Sequence, residues 1–406
     1  MRAVPTPATP APTGFPEELR AWQAPLREQF PIITANPGLA YLDSAATSQK
    51  PRAVLDAATA YLTTSNANAG RGTYPWANRT TRLVEQARDT VRAFLGDPEP
   101  ARSRVDFVSG ASEGLRRVAL DWLPRFLTDG DEIIVPLGDH EANALPWFEA
   151  RDLLAARGVR ITVHEMPYQR DSHDYDMAAL AALVTPRTRF VAATHVHHVY
   201  GGDMTVHLVR RAVGPEPVIC LDAAQSVGHV PVDLAALDVD FLAFSGHKAL
   251  ALPGTGALWS RGLRGPVFAP GGWDGTPNTA GIVSLTAALD WLGDAGPARI
   301  GTWTEALAAR LTDGLRHLER YEILGCPLSL AFDSPVRRRR GIVTFRHRAM
   351  EAVDLGFILY DRGHMVRSDR HCQGRAGEER TSVRASVHVY NTPEEIDRLL
   401  DDLAAL

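Results

Sequence analysis

From Val105 onward the chain alternates short apolar runs with longer stretches in which apolar residues recur every three or four positions. The short runs are Val105-Asp-Phe-Val-Ser-Gly110, Glu132-Ile-Ile-Val-Pro136, Arg189-Phe-Val-Ala-Ala-Thr194 continuing to His198, Val218-Ile-Cys-Leu-Asp222 and Asp240-Phe-Leu-Ala-Phe-Ser245. Strand-type runs separated by helical spacing predict a largely parallel sheet with helices on both faces. Upstream, Pro16 to Phe30 has helical spacing with its charges on one side, and Leu39 to Thr47 reads as a short strand entering a turn of small residues. Residues 51–64 read as a helix and 66–72 as an irregular loop. Residues from 280 to about 320 are helical in pattern, with Pro297 at a domain boundary. Beyond it come strands near Ile323, at Ile342–Arg346, up to Val366 and at Val383–Tyr390, with a helix from Glu351 and another at the end. The expected organisation is α/β. A tail over 1–15 precedes a large domain over 16–296, and a smaller α+β domain over 297–406 carries a loop at Cys372. The N-terminal segment is left able to pack on the smaller domain.

Composition narrows the class. A length of 406 residues, 45% hydrophobic and 22% charged, suits one large and one small globular domain. The net charge of −5 gives no basis for nucleic acid or anionic membrane as a partner. No apolar run approaches the ~20 residues of a membrane span, and the Pro/Ala/Thr-rich start has no signal-peptide core. Three cysteines, Cys220, Cys326 and Cys372, make neither a disulfide framework nor a metal cluster, so a cytoplasmic protein is expected.

Two of the apolar runs end abruptly in polar residues. Asp240-Phe-Leu-Ala-Phe-Ser-Gly-His-Lys248 ends in a lysine, with Pro253-Gly-Thr-Gly256 just behind it, and Val218-Ile-Cys-Leu-Asp222-Ala-Ala-Gln225 ends in an aspartate. An amine against apolar walls loses affinity for its proton and can attack an aldehyde. A lysine to hold pyridoxal phosphate and an aspartate to keep its ring nitrogen protonated form an electron sink. Taken singly, a lysine or aspartate at a strand end is usually solvated or a cap. With Gln225, Ser245 and His247 at these offsets, the pattern alone leaves both readings open.

Other positions carry chemistry only in company. Ala111-Ser112-Glu113-Gly114 opens a helix after a strand, which is either an ordinary cap or an anion site built from unpaired N–H groups. Asp139-His140-Glu-Ala-Asn143 places a histidine just past a strand end, where it could lie on a pyridine ring. His195, His197 and His198 are poorly spaced for a metal on a strand, since alternation sends His198 to the opposite face, and no metal is expected. Arg337-Arg-Arg-Arg340 reads as a solvated hairpin turn, with docking of an acidic acceptor protein as the lesser reading. In Arg367-Ser-Asp-Arg370-His371-Cys372-Gln-Gly374 a cysteine sits among cations that favour its thiolate. Arg384 offers a planar fork for a carboxylate.

Ser245-Gly-His-Lys248 and Asp222-Ala-Ala-Gln225 resemble the signatures of the class V, fold-type I pyridoxal-phosphate enzymes. Tyr41-Leu-Asp-Ser-Ala-Ala-Thr47, Gly275-Thr-Pro-Asn-Thr279 and Arg384-Ala-Ser-Val-His-Val-Tyr-Asn-Thr392 match, in order, the SUF-type (group II) cysteine desulfurases within that class. The resemblance runs from about residue 30 to the C-terminus. It implies a fold-type I transferase with a mostly parallel seven-stranded sheet, and a homodimer. It implies that Lys248 holds the cofactor, that Asp222 faces its ring nitrogen, that His140 stacks on the ring, and that Gln225 and His198 lie by its phenolic oxygen. Ala111, Ser112, Ser245, His247 and a partner-subunit Thr276 would hold the phosphate. Ala45, Arg367 and Arg384 would meet the substrate, L-cysteine or a related amino acid. Cys372 would take the sulfur as a persulfide, for delivery to an acceptor protein.

The chain departs from the pattern at several places. Gly70 and Tyr74 stand where the family has histidines, and Glu141 where histidine is common. His198 replaces an asparagine, and its titration is expected to alter the electronics of the ring. Asp369 replaces a glycine and Arg370 a histidine, and the segment between Trp259 and Gly275 is much shorter than the family's hairpin. The short segment and the changes at His198, Gly70 and Tyr74 favour the alternatives of a C–S or C–Se lyase or a biosynthetic tailoring enzyme of the same family, and the Cys372 motif opposes them. A non-catalytic protein that keeps the fold is opposed by Lys248 and Asp222.

Overall fold

A computed structural model describes residues 15–169, 172–262, 276–325, 339–373 and 381–406. The expectations placed on residues 1–14, on the shortened segment over 263–275, and on Cys326, Arg337, Arg338 and Gly374 lie outside these residues. The chain starts with a helix, Glu17–Arg27, followed by a short strand β1 (Ala40–Tyr41) and two helices, Arg52–Thr64 and Pro75–Phe94. The main sheet is then laid down by β2 (Ser103–Val108), β3 (Glu132–Val135), β4 (Thr162–Glu165), β5 (Thr188–Thr194), β6 (Val218–Asp222), β7 (Phe241–Ser245) and β8 (Gly256–Arg261).

These seven strands pair in the order β2-β8-β7-β6-β5-β3-β4. Only β8 runs against its neighbours, and the pairs from β7 to β4 are all parallel. The apolar runs are wholly apolar because both sheet faces are covered. Strand alternation sends Ile134, Val191, Ile219, Leu221, Leu242 and Phe244 into one core layer. Their neighbours Ile133, Phe190, Cys220, Phe241 and Ala243 enter the other. Each fully buried large aliphatic or aromatic side chain contributes roughly 1.5–3 kcal/mol.

The predicted strand over Arg189–His198 is shorter than expected. It ends at Thr194 because its neighbour β6 ends at Asp222, and the His195 N–H donates to the Asp222 carbonyl at 2.9 Å as the last rung. His195–His198 therefore belong to a loop, and the alternation argued for them does not apply. The rings of His197 and His198 stack, with centroids 5.0 Å apart and planes 22° from parallel.

The helical stretch after residue 280 is two helices, Thr279–Ala295 and Pro297–Arg316. Gly296 between them takes φ +87°, open to glycine, and Pro297 pre-sets the next helix. The first helix packs into the sheet core, whereas Trp303, Leu307, Leu311 and Leu315 of the second join a separate core. That core lies under β9 (Tyr321–Ile323), β10 (Ile342–His347), β12 (Arg367–Asp369) and β13 (Ser382–Ser386), an antiparallel sheet ordered β12-β13-β10-β9. Strand β11 (His364–Met365) pairs instead with β1. The expected strand over Val383–Tyr390 stops at Ser386, and Val387–Tyr390 continue as buried loop. The N-terminal helix sits against these C-terminal elements. Gln23 donates to the Val389 carbonyl at 2.7 Å, Arg27 pairs with Glu395 at 2.7 Å, and Phe15 meets the Trp303 ring at 5.0 Å. Phe15 is thus anchored rather than part of a tail.

Arg339 and Arg340 overturn the solvated-turn reading for their half of the arginine run. Arg339 is buried and donates to the carbonyls of Tyr200 (2.9 Å) and Leu324 (2.6 Å). Arg340 pairs with Asp203 at 2.8 Å and with Glu305. Both fasten the two sheets together, and neither is available to dock a protein.

Candidate active site

In a parallel sheet the carboxyl ends of the strands open on one side, and ligand sites form there. Here β5, β6 and β7 end in Thr194, Asp222 and Ser245, which border a cleft of about 250 Å³. Strand β2 delivers Gly110 and the helix Ala111–Arg117 to the same place, and Ala111 and Ser112 line it. The Ala111 N–H donates to Ser245 Oγ at 2.9 Å, joining two of the expected phosphate contacts. The approach requires glycine at the start of β8, where a Cβ on Gly256 would fall 2.3 Å from the Phe244 carbonyl oxygen.

Lys248 follows β7 on a single helical turn, Gly246–Lys248. Burial lowers its pKa to about 8, and Arg384 adds to the effect while Asp222 opposes it. An amine of this kind is partly unprotonated near neutrality. Asp222 is pushed up to about 6 by burial, against an N–H from Ala224 at 2.9 Å and the charge of Lys248. The carboxyl ordinarily ionised at pH 4 thus stands within reach of neutrality, and a cationic partner would return it to the charged form.

Imidazoles close the side of the cleft. His140 and His198 meet edge to face, with ring centroids at 4.9 Å. His140 Nδ1 accepts from the Ala142 N–H at 3.1 Å, which leaves Nε2 as the protonated nitrogen of a neutral ring. Burial, then Lys248, lowers the His140 pKa to about 4, and burial holds His198 well below the ordinary value. Burial thus favours the neutral ring of His198. His247 is lowered to about 4, again chiefly by burial. Gln225 donates to the Ala45 carbonyl at 2.8 Å, which brings the small-residue turn after β1 to the cleft.

The far wall comes from the smaller sheet. Arg384 is buried on β13, and donates from Nη1 to the His198 carbonyl at 3.0 Å and from Nη2 to Asp43 Oδ1 at 3.1 Å. Burial raises the Asp43 pKa and Arg384 opposes the rise. Arg367 on β12 lines the cleft beside Arg384. Its Nη2 lies 3.3 Å from Cys372 Sγ, so the sulfur is held one side chain away from the cleft wall. The cation on the sulfur is Arg367. The neighbouring Arg370 is exposed, and His371 turns to Asp369 (3.0 Å) and to Ser382 Oγ (2.8 Å) instead.

Of the residues singled out from the sequence, Ala45, Ala111, Ser112, His140, His198, Asp222, Gln225, Ser245, His247, Lys248, Arg367 and Arg384 line one cleft. Cys372 stands behind Arg367. Thr276 does not line this cleft; it borders a separate recess with Tyr61, Asn66 and Asn68, and receives the Asn68 amide at 3.4 Å.

Sequence reasoning passed over Asp43, although it lies inside the Tyr41–Thr47 motif, and it passed over Lys50. Of the 43 lysines and arginines only two are lysines, Lys50 and Lys248. They converge. The carbonyl of His247, next to Lys248, is approached by Ser48 N (3.0 Å), Ser48 Oγ (3.0 Å), Thr47 Oγ1 (3.2 Å) and Lys50 Nζ (3.3 Å). A compact ammonium serves converging acceptors that a planar guanidinium would not.

The chain is similar to known proteins. The family model for class-V aminotransferases matches residues 40–399. A probable cysteine desulfurase of Vibrio cholerae is 30% identical, over 92% of this chain and 96% of that protein. Another, of Streptomyces coelicolor, is 33% identical over 93% of this chain and 95% of its own. Among solved structures, the apo cysteine desulfurase of Thermococcus onnurineus superposes with a TM-score of 0.81 at 27% identity, covering 97% of this chain and 98% of that one. The chain belongs to the class-V aminotransferase family.

Proposed function

We propose that this protein is a pyridoxal-phosphate-dependent cysteine desulfurase, which converts L-cysteine to L-alanine and takes the sulfur onto Cys372 as a persulfide. The observation that carries the reading is the convergence of Lys248, Asp222 and Arg384 on one cleft, with Cys372 held beside it by Arg367. The relatives named as cysteine desulfurases support it.

The donor set fits the cofactor. Both ring nitrogens of His198, Gln225 Oε1 and Arg384 Nε are buried among the cleft residues without a hydrogen-bond partner. Buried polar atoms are normally satisfied, so this wall is built for a polar ligand. Lys248 would hold the aldehyde carbon, Asp222 the ring N–H, His198 and Gln225 the ring oxygen. Ala111, Ser112, Ser245 and His247 would hold the phosphate, and Thr276 would serve that of a second subunit in a homodimer. When bound, the cofactor supplies an electron sink that acidifies the substrate's Cα–H.

The chain's own residues do the rest. Arg384, fixed by Asp43, orients the substrate carboxylate. Lys248, once displaced by the substrate amine, would be unprotonated in part near neutrality and would take the proton from Cα. The Cys372 thiolate attacks the substrate sulfur. The bond from that sulfur to the substrate carbon breaks, and its electron pair stays with the carbon. That carbon gains a proton and departs in L-alanine, and the added sulfur remains on Cys372. The persulfide then passes to an acceptor protein, in keeping with a SUF-type, cytoplasmic role.

The test is a product assay on L-cysteine with wild type and Cys372→Ala side by side, scoring alanine, sulfide and pyruvate. Alanine formed with a Cys372 persulfide, and abolished in the variant, is expected. Pyruvate from both proteins would make the enzyme a C–S lyase and Cys372 a bystander.

A further inference from the structure

The segment that presents Cys372 is built around an acid. Arg367 and Asp369 lie two residues apart on β12, on one face of the strand. The Arg367 Nε donates to both carboxylate oxygens of Asp369 (2.9 and 3.0 Å), and Nη2 donates to Oδ2 at 2.8 Å. The same Nη2 reaches Cys372 Sγ at 3.3 Å. Asp369 Oδ1 also accepts the His371 N–H at 2.6 Å and lies 3.0 Å from His371 Nδ1.

The backbone there is unusual. His371 and Cys372 are consecutive non-glycine residues with φ of +56° and +57°. Left-handed conformations persist in such residues only where their surroundings fix them. Three contacts fix this one: the Asp369 carboxylate on His371, Ser382 Oγ on the His371 ring, and the Glu141 N–H on the Cys372 carbonyl at 3.1 Å.

We propose that Asp369 is a positioning residue for the sulfur: its carboxylate aims the Arg367 guanidinium at Cys372 Sγ and pins the left-handed turn that carries the thiol. The inference rests on Cys372 being the acceptor of substrate sulfur. A flexible arginine on an edge strand samples many rotamers. The two-pronged grip of Asp369 removes that freedom and leaves one N–H directed at the sulfur. The charge in contact with the sulfur is then Arg367 on β12, with Arg384 on the neighbouring β13 turned to Asp43 and the His198 carbonyl. Lys248 lies across the cleft and Asp369 is already neutralised by its ion pair.

The test uses the cofactor-loaded protein and the variants Asp369→Asn and Asp369→Gly. The rate of iodoacetamide alkylation at Cys372, read from the peptide mass, is followed from pH 5 to 10 alongside kcat and KM for L-cysteine. Asn keeps an acceptor for His371 but cannot grip the guanidinium from both sides. With Arg367 released, the alkylation midpoint is expected to move up by about half to one pH unit. The rate with L-cysteine is expected to fall roughly ten-fold in kcat, with KM less affected. Asp369→Glu should recover part of both. An unchanged midpoint would reduce Asp369 to a fold-stabilising residue. A midpoint moved down would mean that Asp369 merely offsets the charge of Arg367. Either result overturns the proposal. Alanine production that survives Cys372→Ala would instead remove the desulfurase reading, while the alkylation profiles still report on the clamp.

Discussion

Arg384 and Asp43 are 341 positions apart in the chain and joined by a 3.1 Å hydrogen bond between guanidinium and carboxylate. With Nη1 committed to the His198 carbonyl as well, the fork proposed to take a substrate carboxylate is aimed before any substrate arrives. Asp43→Asn weakens that aim. A hydrogen bond to a charged group is worth about 1.5–3 kcal/mol, so KM for L-cysteine should rise on the order of 10–100-fold, with kcat less affected. Steady-state kinetics checks this; an unchanged KM would mean that the substrate carboxylate is held elsewhere.

The amine of Lys248 should behave as a base with a pKa of about 8 rather than 10.5. Capture of pyridoxal phosphate by the apo-protein should therefore speed up as pH rises through 8 and level off above it. Because Asp222 raises this pKa, Asp222→Asn should move the midpoint lower. Stopped-flow absorbance across pH 6–10 reads both. A midpoint near 10 would show that the amine is solvated in solution.

Acid should unfold the apo-protein early. His140, His229 and His247 are lowered to about 4, and His197 and His371 to about 3, all chiefly by burial. Between roughly pH 6.5 and 4 the unfolded chain binds protons at these rings that the folded chain refuses, so stability falls as the pH drops through that window. Asp139 and Asp222, raised to about 6, act in the opposite sense but are fewer. The net loss by pH 5 should exceed ~1 kcal/mol, read as a lower urea midpoint.

Gly256→Ala should damage the proposed phosphate cradle from behind. Its new Cβ would fall 2.3 Å from the Phe244 carbonyl, a backbone atom, so β7 and β8 must part at Ser245. A loss of about 1–3 kcal/mol in stability is expected, with weaker retention of the cofactor on dialysis. Retention equal to wild type would exclude Ser245 from the phosphate site.

Much of this was legible in the sequence because its signals are local. Lys248 and Asp222 stand out where an apolar run stops, and a parallel sheet gathers such stops on one side. The misreadings share a different cause. Arg339 and Arg340 look solvated because four arginines in a row usually are, yet their partners, Tyr200, Leu324, Asp203 and Glu305, lie far off in the chain. The face assigned to His198 failed because the end of β5 is set by its neighbour β6, which nothing in the histidine run records. Asp43 sits within a motif whose spacing says nothing of its partner, an arginine from the other sheet. Asp369 was noticed as an oddity, and only the fold turns Arg367, His371 and Cys372 toward it.

That Lys50 and Lys248 are the chain's two lysines also makes it its own reporter. Trypsin acting on the arginine-blocked chain spares Lys50, because Pro51 follows it, and so has a single bond to cut in the entire polypeptide, Lys248–Ala249. Borohydride would make any covalent link at Lys248 permanent, and the denatured chain would then resist cleavage. Two fragments on a gel would count free lysine, and one uncut band would count lysine in use.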